Sequence, residues 1–387
     1  MLEWDLSALF KNEEELEAFT CENIRQAEEF KQKYEKKIAH LSKEEFLISL
    51  KQYENLNENA TKIMTYAYLC FAKNTSNGDF YARYEEKCKK IEENLLFFEL
   101  EFCELETLKS SEFVAFCEDY CFYLETLLKN KEFNLSQKEE RILLYLSNTG
   151  ANAFSRLFDE SMSALRINFE GQKLSEEEIL SKLYHNDRKV RKKAAKNFTK
   201  ALNKNASLLS FILNMIKTEL KNICHLRGYE NAEMPRHLSN QISQKSVNAL
   251  ILSAEKSYHL VEDFYLLKKQ ILGFKELKDY DRYAPLGKEA NFSFEKSKDI
   301  VLKAFKSFSS EFEDIAKEAF ENGWIDVYPQ KNKQGGAFSH SATSTAHPFV
   351  LLNFTNQRRD LFTLAHELGH TIHQKLSYKV SFLNQNT

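Results

Sequence analysis

Residues 361 to 373 read Leu361-Phe362-Thr363-Leu364-Ala365-His366-Glu367-Leu368-Gly369-His370-Thr371-Ile372-His373. Leu361, Leu364, Leu368 and Ile372 recur at steps of three and four, the period of a helix with one apolar face. On such a helix His366 and His370 lie one turn apart on the same side, so both can aim an imidazole nitrogen at one metal ion. Glu367, one position along, falls beside that ion. Zinc held by neutral imidazoles lowers the pKa of a bound water, and an adjacent carboxylate can take its proton and hand it to a leaving amine. The stretch therefore implies peptide-bond hydrolysis at one Zn2+ per chain, with His366 and His370 as ligands and Glu367 as the catalytic base. The bare His-Glu-x-x-His pattern arises by accident in roughly 2 to 3 of every 100 chains of this length and composition. An exposed helix that happens to carry two histidines is the bland alternative, so the surroundings must decide.

Immediately upstream the sequence has the texture of a small sheet. Tyr280 to Leu286, Trp324 to Pro329, Gly335 to Ser339 and Pro348 to Phe354 read as extended segments parted by turns. Peptidases of this general type grip a substrate as an extra strand along a sheet edge. Gly336, Ala337 and Phe338, or else Val350 to Phe354, are the candidates for that edge. The Gly335-Gly336 pair lacks the following Lys-Ser/Thr of a phosphate loop and reads better as a turn or a close backbone approach. His340 and His347 lie near the presumed substrate strand, and loop or surface roles are the favoured reading for both. Asp360 is placed to cap the histidine helix.

Farther back the chain is helical. The four prolines, Pro235, Pro285, Pro329 and Pro348, leave everything before residue 235 free of proline and open to long helices. Ser42 with Glu45, Ser136 with Glu139 and Ser175 with Glu178 have the form of capping boxes. Phe80 to Leu105 and Glu112 to Leu128 carry the apolar spacing of bundle helices. Phe97, Phe98, Phe102, Phe113, Phe116, Tyr120 and Phe122 are read as core packing, not as a ligand pocket. Arg166 to Gly171 reads as a strand and turn, Asp187 to Gly228 as helical, and Ser243 as the cap of a long helix ending near Gly273.

Composition sets the outer limits. At 387 residues with a formal net charge of −3, the chain is long enough for two domains and lacks the basic excess of a nucleic-acid-binding face. Seven cysteines without paired CxxC spacing fit reduced thiols and a cytoplasmic location. The start, Met1-Leu2-Glu3-Trp4-Asp5, has no secretory pattern, and no membrane span is expected.

The chain resembles the oligoendopeptidase F group of the thimet oligopeptidase-like zinc metallopeptidases over essentially its whole length. The resemblance rests on Trp4-Asp5-Leu6-Ser7, Leu226-Arg227-Gly228-Tyr229, Tyr280 to Leu286, Gly335-Gly336-Ala337-Phe338, and Leu364 to His370 with His373 following. It implies a mainly α fold: a multi-helix bundle with a small β-sheet beside the zinc-binding helix, zincin-like. Residues 1–190 would form the N-terminal helical domain and 191–387 the catalytic domain. The implied function is zinc-dependent endopeptidase cleavage of oligopeptides in a cleft, with no nucleic-acid or membrane partner. A non-catalytic helical peptide-binding scaffold and a metallocarboxypeptidase are the competing readings. His373 lies about 10 Å along the axis from His366, too far to share one ion, so a supporting or packing role is expected for it. The family's third ligand is a Glu on a later helix, whereas none of the 17 residues from Thr371 to Thr387 is Asp or Glu. The expectation is a truncated form, lacking the rest of the catalytic domain, with impaired activity.

Overall fold

All three expected capping boxes open helices in the computed structural model, which describes residues 2–287 and 291–385. In each, the serine oxygen accepts from the amide three residues on and the glutamate reaches back to the serine amide, satisfying two donors that a helix start otherwise leaves bare. Helix takes 71% of the residues and strand 4%, so the fold is mainly α with small sheets.

The chain forms two compact units, residues 1–163 with 292–387, and residues 164–291. The first begins with the bundle helices α1 (Glu13–Tyr34), α2 (Lys43–Lys73) and α3 (Gly78–Cys103). The shorter α4 (Thr107–Phe116), α5 (Cys121–Asn130), α6 (Gln137–Leu146) and α7 (Ala151–Ser163) follow. The region expected as one helix from Glu112 is broken by a 3₁₀ turn at Glu118–Tyr120. The bundle core is aromatic: Phe46 stacks on Phe113 at 4.1 Å, and Tyr53 on Phe98 at 4.6 Å. Phe97, Phe98, Phe102, Phe113 and Tyr120 are buried there as expected, but Phe116 and Phe122 are exposed. The break at Glu118–Tyr120 restarts the helical phase between them and turns both rings outward.

The second unit holds a hairpin, β1 (Ile167–Phe169) and β2 (Gln172–Leu174), where a strand and turn were read. It continues with α8 (Glu176–Ser181), α9 (Arg188–Lys204), α10 (Ala206–Arg227), α11 (Met234–Ser239), α12 (Gln244–Lys256) and α13 (Tyr258–Ile271). The long helix expected from Ser243 to Gly273 is thus two helices, parted at Ser257. Tyr280 to Leu286, expected as extended, starts instead in a 3₁₀ turn at Asp279–Asp281. The reason is Asp281, which is fully buried and takes hydrogen bonds from Arg188 and Arg191 as well as from the Lys278 amide, closing the backbone into a turn.

The chain then returns to the first unit with α14 (Phe294–Phe308), α15 (Ser310–Glu321), β3 (Ile325–Asp326), β4 (Phe338–His340), β5 (Phe349–Leu351) and α16 (Arg358–Ser377). The sheet order is β3-β5-β4, with β3 parallel and β4 antiparallel to β5. The central strand β5 separates two cores. Because side chains alternate across a strand, Phe349 and Leu351 join the bundle core, while Val350 and Leu352 join a second core with Phe294, Phe320, Leu364 and Leu368. This alternation ties the last part of the chain to the first: Trp4 packs against Phe338 and Phe349, and the Val327 amide donates to the Leu2 carbonyl.

Candidate metal centre

Leu364 and Leu368 are fully buried in the second core, which fixes the rotation of α16. The opposite side of the helix then carries His366, His370 and His373, all exposed. The start of α16 is held by Asp360, whose Oδ2 accepts from the Thr355 amide at 2.6 Å, the Thr355 hydroxyl at 2.9 Å and the Gln357 amide at 3.0 Å. Asp360 caps the helix as the third residue of a box with Gln357.

The Nε2 atoms of His366 and His370 converge to 3.2 Å, with the rings nearly perpendicular at 86°. Two ligands about 2.0–2.1 Å from a tetrahedral zinc lie roughly 3.3 Å apart, close to the separation of this pair. Neutral imidazole is also the donor that zinc favours. His373, two turns up the same side, lines a surface cavity with Phe312, Ile372 and Leu376. Among the described residues no group of three or more His, Cys, Asp or Glu converges as a metal-binding set.

Glu367 lies next to the pair but is only 7% exposed. Burial raises its pKa above the ordinary carboxylate value, against the opposing pull of His366, His370 and the Ser339 amide, which offers it a hydrogen bond. A carboxylate of raised proton affinity beside two converging imidazole nitrogens is suited to accept a proton from water and to release it again.

The strand–helix contact that sets this geometry passes through Ser339. Its hydroxyl donates to Gln374 Oε1 at 2.7 Å and lies 2.9 Å from Thr371 Oγ1, while Gln374 Nε2 donates to its carbonyl at 3.1 Å. Thr371 in turn donates to the Glu367 carbonyl at 3.0 Å. Since the Val350 amide is turned to Trp324 of the β3 side, Ser339, paired with Val350, directs its backbone groups away from β5. Gln374 and Thr371 were missed in the sequence. The signal was present: both are polar residues on the buried stripe of Leu364 and Leu368, where a polar side chain needs a fixed partner.

The candidate substrate-strand residues Gly336, Ala337 and Phe338 run into β4, which is an edge strand, whereas Val350 and Leu351 belong to the central strand and cannot serve as an edge. Gly336 adopts φ +79°, a left-handed turn that glycine accepts without strain. His347, read as a loop or surface residue, instead stacks on Trp324 at 4.7 Å and 5°, a packing role. His340 lies in β4 with its ring 5.6 Å from Tyr68.

The model of peptidase family M3 matches residues 181–384, and the model described as Oligopeptidase F matches residues 101–167. The chain is 30% identical to an oligoendopeptidase F homolog of Borreliella burgdorferi, covering 97% of this chain and 65% of that protein. It is 27% identical to the oligopeptidase PepF of Bacillus subtilis, covering 90% and 54% respectively. The chain thus spans between about half and two thirds of the length of these relatives. Among solved structures, a putative oligoendopeptidase F from Bacillus anthracis superposes with a TM-score of 0.73 at 15% identity, over 96% of this chain and 66% of that one. A putative peptidase from Chlamydophila abortus gives 0.63 at 21% identity, over 97% and 65%. At these identities the structural likeness speaks for the fold alone.

Proposed function

The chain belongs to peptidase family M3, and from that membership we propose that it carries the zinc-binding helix of an endopeptidase that hydrolyses short oligopeptides. The observation that carries the reading is the 3.2 Å convergence of His366 and His370 with a buried carboxylate between them in sequence. The family is generally metal-dependent, which supports the same reading. Zinc, when bound, polarises the scissile carbonyl and acidifies water. His366 and His370 would hold it, and Glu367 would take a proton from water and pass it to the leaving amine. Ser339, held by Gln374 and Thr371, keeps the edge strand beside that carboxylate. We propose further that residues 1–190 serve as the helical N-terminal domain and 191–387 carry the chemistry.

Two imidazoles alone hold zinc weakly, so the 387 residues as they stand are proposed to have impaired activity. The seven thiols, none of them in a disulfide among the described residues, support a reducing, cytoplasmic setting. Among the described residues no helix is long and apolar enough to cross a membrane. Cleavage of an internally quenched oligopeptide blocked at both ends tests the class of activity. Zinc-dependent turnover that disappears in Glu367→Gln supports an endopeptidase, whereas turnover only of peptides with a free C-terminal carboxylate would mark a carboxypeptidase.

A further inference from the structure

β4 alternates its side chains between two environments. Ser339 faces α16, where it meets Thr371 and Gln374, whereas Phe338 and His340 face the bundle, each ring centroid 5.6 Å from that of Tyr68. On that bundle side lies a cavity of about 580 Å³, lined by Thr61, Thr65, Tyr68, Tyr81, Glu92 and His340 among others. Tyr68 and Tyr81 meet edge to face at 6.3 Å, giving the cavity aromatic walls. The outward backbone groups of Ser339 are taken by Gln374 and Glu367, so a peptide beside β4 would reach this cavity with a side chain and not by pairing with Ser339.

The polar groups of the cavity are set for one kind of guest. His340 Nδ1 accepts from the Ala342 amide at 3.1 Å, so in the neutral ring the proton sits on Nε2, which has no partner among the described residues. Glu92, held by Lys89 at 2.7 Å, adds a carboxylate acceptor. We propose that this cavity is a side-chain pocket of the peptide site and that it takes a tyrosine. The ring stacks among Tyr68, Tyr81 and His340 at the spacing aromatic pairs prefer. The phenol oxygen accepts from His340 Nε2, and its proton is offered to Glu92. Phenylalanine fills the space but leaves the His340 donor unanswered, and an acidic side chain meets Glu92 at like charge. The proposal rests on the peptidase reading for the placement of the peptide, although the pocket's own chemistry does not depend on zinc.

The test is binding by fluorescence anisotropy of labelled octapeptides of alanine and glycine, blocked at both ends, with Tyr, Phe or Leu placed at each position in turn. The full chain is compared with His340→Phe, which keeps a ring against Tyr68 but removes the donor, and Thr61→Trp, which fills the cavity. At one or two positions the chain should bind the Tyr peptide on the order of three- to tenfold tighter than the Phe peptide. His340→Phe should erase that difference, and Thr61→Trp should weaken both aromatic peptides while sparing the Leu peptide. Equal binding of all three peptides, no binding of any, or a Tyr preference surviving both variants overturns the proposal. Cleavage measured in parallel, in a version extended to the length of the relatives, separates the two readings. Zinc-dependent cutting without a Tyr preference overturns the pocket and leaves the peptidase, while a Tyr preference without cutting does the reverse.

Discussion

Removing either imidazole of a pair whose Nε2 atoms stand 3.2 Å apart leaves a single nitrogen for the ion. In a version extended to the length of the relatives, His366→Ala and His370→Ala should therefore each abolish measurable zinc retention on dialysis, while Glu367→Gln, which touches no ligand atom, should retain as much zinc as the extended parent. Equal zinc in all four proteins would place the metal elsewhere. His340 allows a second test at this scale. Burial pushes its pKa down to about 4, against an ordinary value near 6.5. Because the folded value lies below the unfolded one, the unfolded chain takes up the proton first as pH falls. The neutral ring's contribution is complete above about pH 6.5 and is lost between there and about pH 4, up to ~3 kcal/mol. Denaturant unfolding at pH 7 and pH 5 should show the parent losing about 2 kcal/mol more than His340→Gln over that interval. An identical loss in both contradicts it. His366, Glu367 and His370 were legible in the sequence because their spacing alone defines a shared helix face. The setting of His340 was not, because it depends on which residues of β4 meet Tyr68, more than 250 positions away in the chain.

Elements were legible wherever a local rule governs them and obscure where a distant partner does. Ser42, Ser136 and Ser175 mark their helix starts through contacts within four residues, so the three boxes could be read directly. The turn at Asp279–Asp281 could not, since it exists to present Asp281 to Arg188 and Arg191, some 90 residues earlier. The sheet order was equally hidden. Nothing within Pro348 to Phe354 says that it lies between two strands, although the apolar run Phe349 to Leu352 fits burial on both faces. The join between β4 and α16 yields a prediction of its own. Gln374→Ala removes the donor to the Ser339 carbonyl and should cost roughly 1–3 kcal/mol in unfolding free energy. Gln374→Glu, which keeps the acceptor for the Ser339 hydroxyl, should cost less. A loss below ~0.5 kcal/mol in Gln374→Ala would show that the clamp does not hold the strand.

For the whole molecule, the two compact units differ in how well they cover their apolar side chains. The first buries extensive aromatic and aliphatic cores. In the second, α12 buries no residue and α13 buries only Lys268, while Leu250, Ile251, Leu252, Leu260, Val261, Phe264, Leu267 and Ile271 stand exposed. Exposed apolar surface on this scale favours association. Sedimentation velocity over a range of micromolar concentrations should show concentration-dependent self-association, reduced by Leu250→Glu with Leu260→Glu. A monodisperse monomer at every concentration contradicts this.

The most direct measurement of the proposed zinc peptidase centre is zinc content together with cleavage of a blocked, quenched oligopeptide. It compares this chain, a version extended to the length of its relatives, and Glu367→Gln in that extended version. One zinc per extended chain with zinc-dependent cleavage is expected, with weak zinc and little cleavage for the 387 residues alone and full zinc without cleavage in Glu367→Gln. Cleavage that survives Glu367→Gln, or an extended chain that neither holds zinc nor cuts, would contradict it.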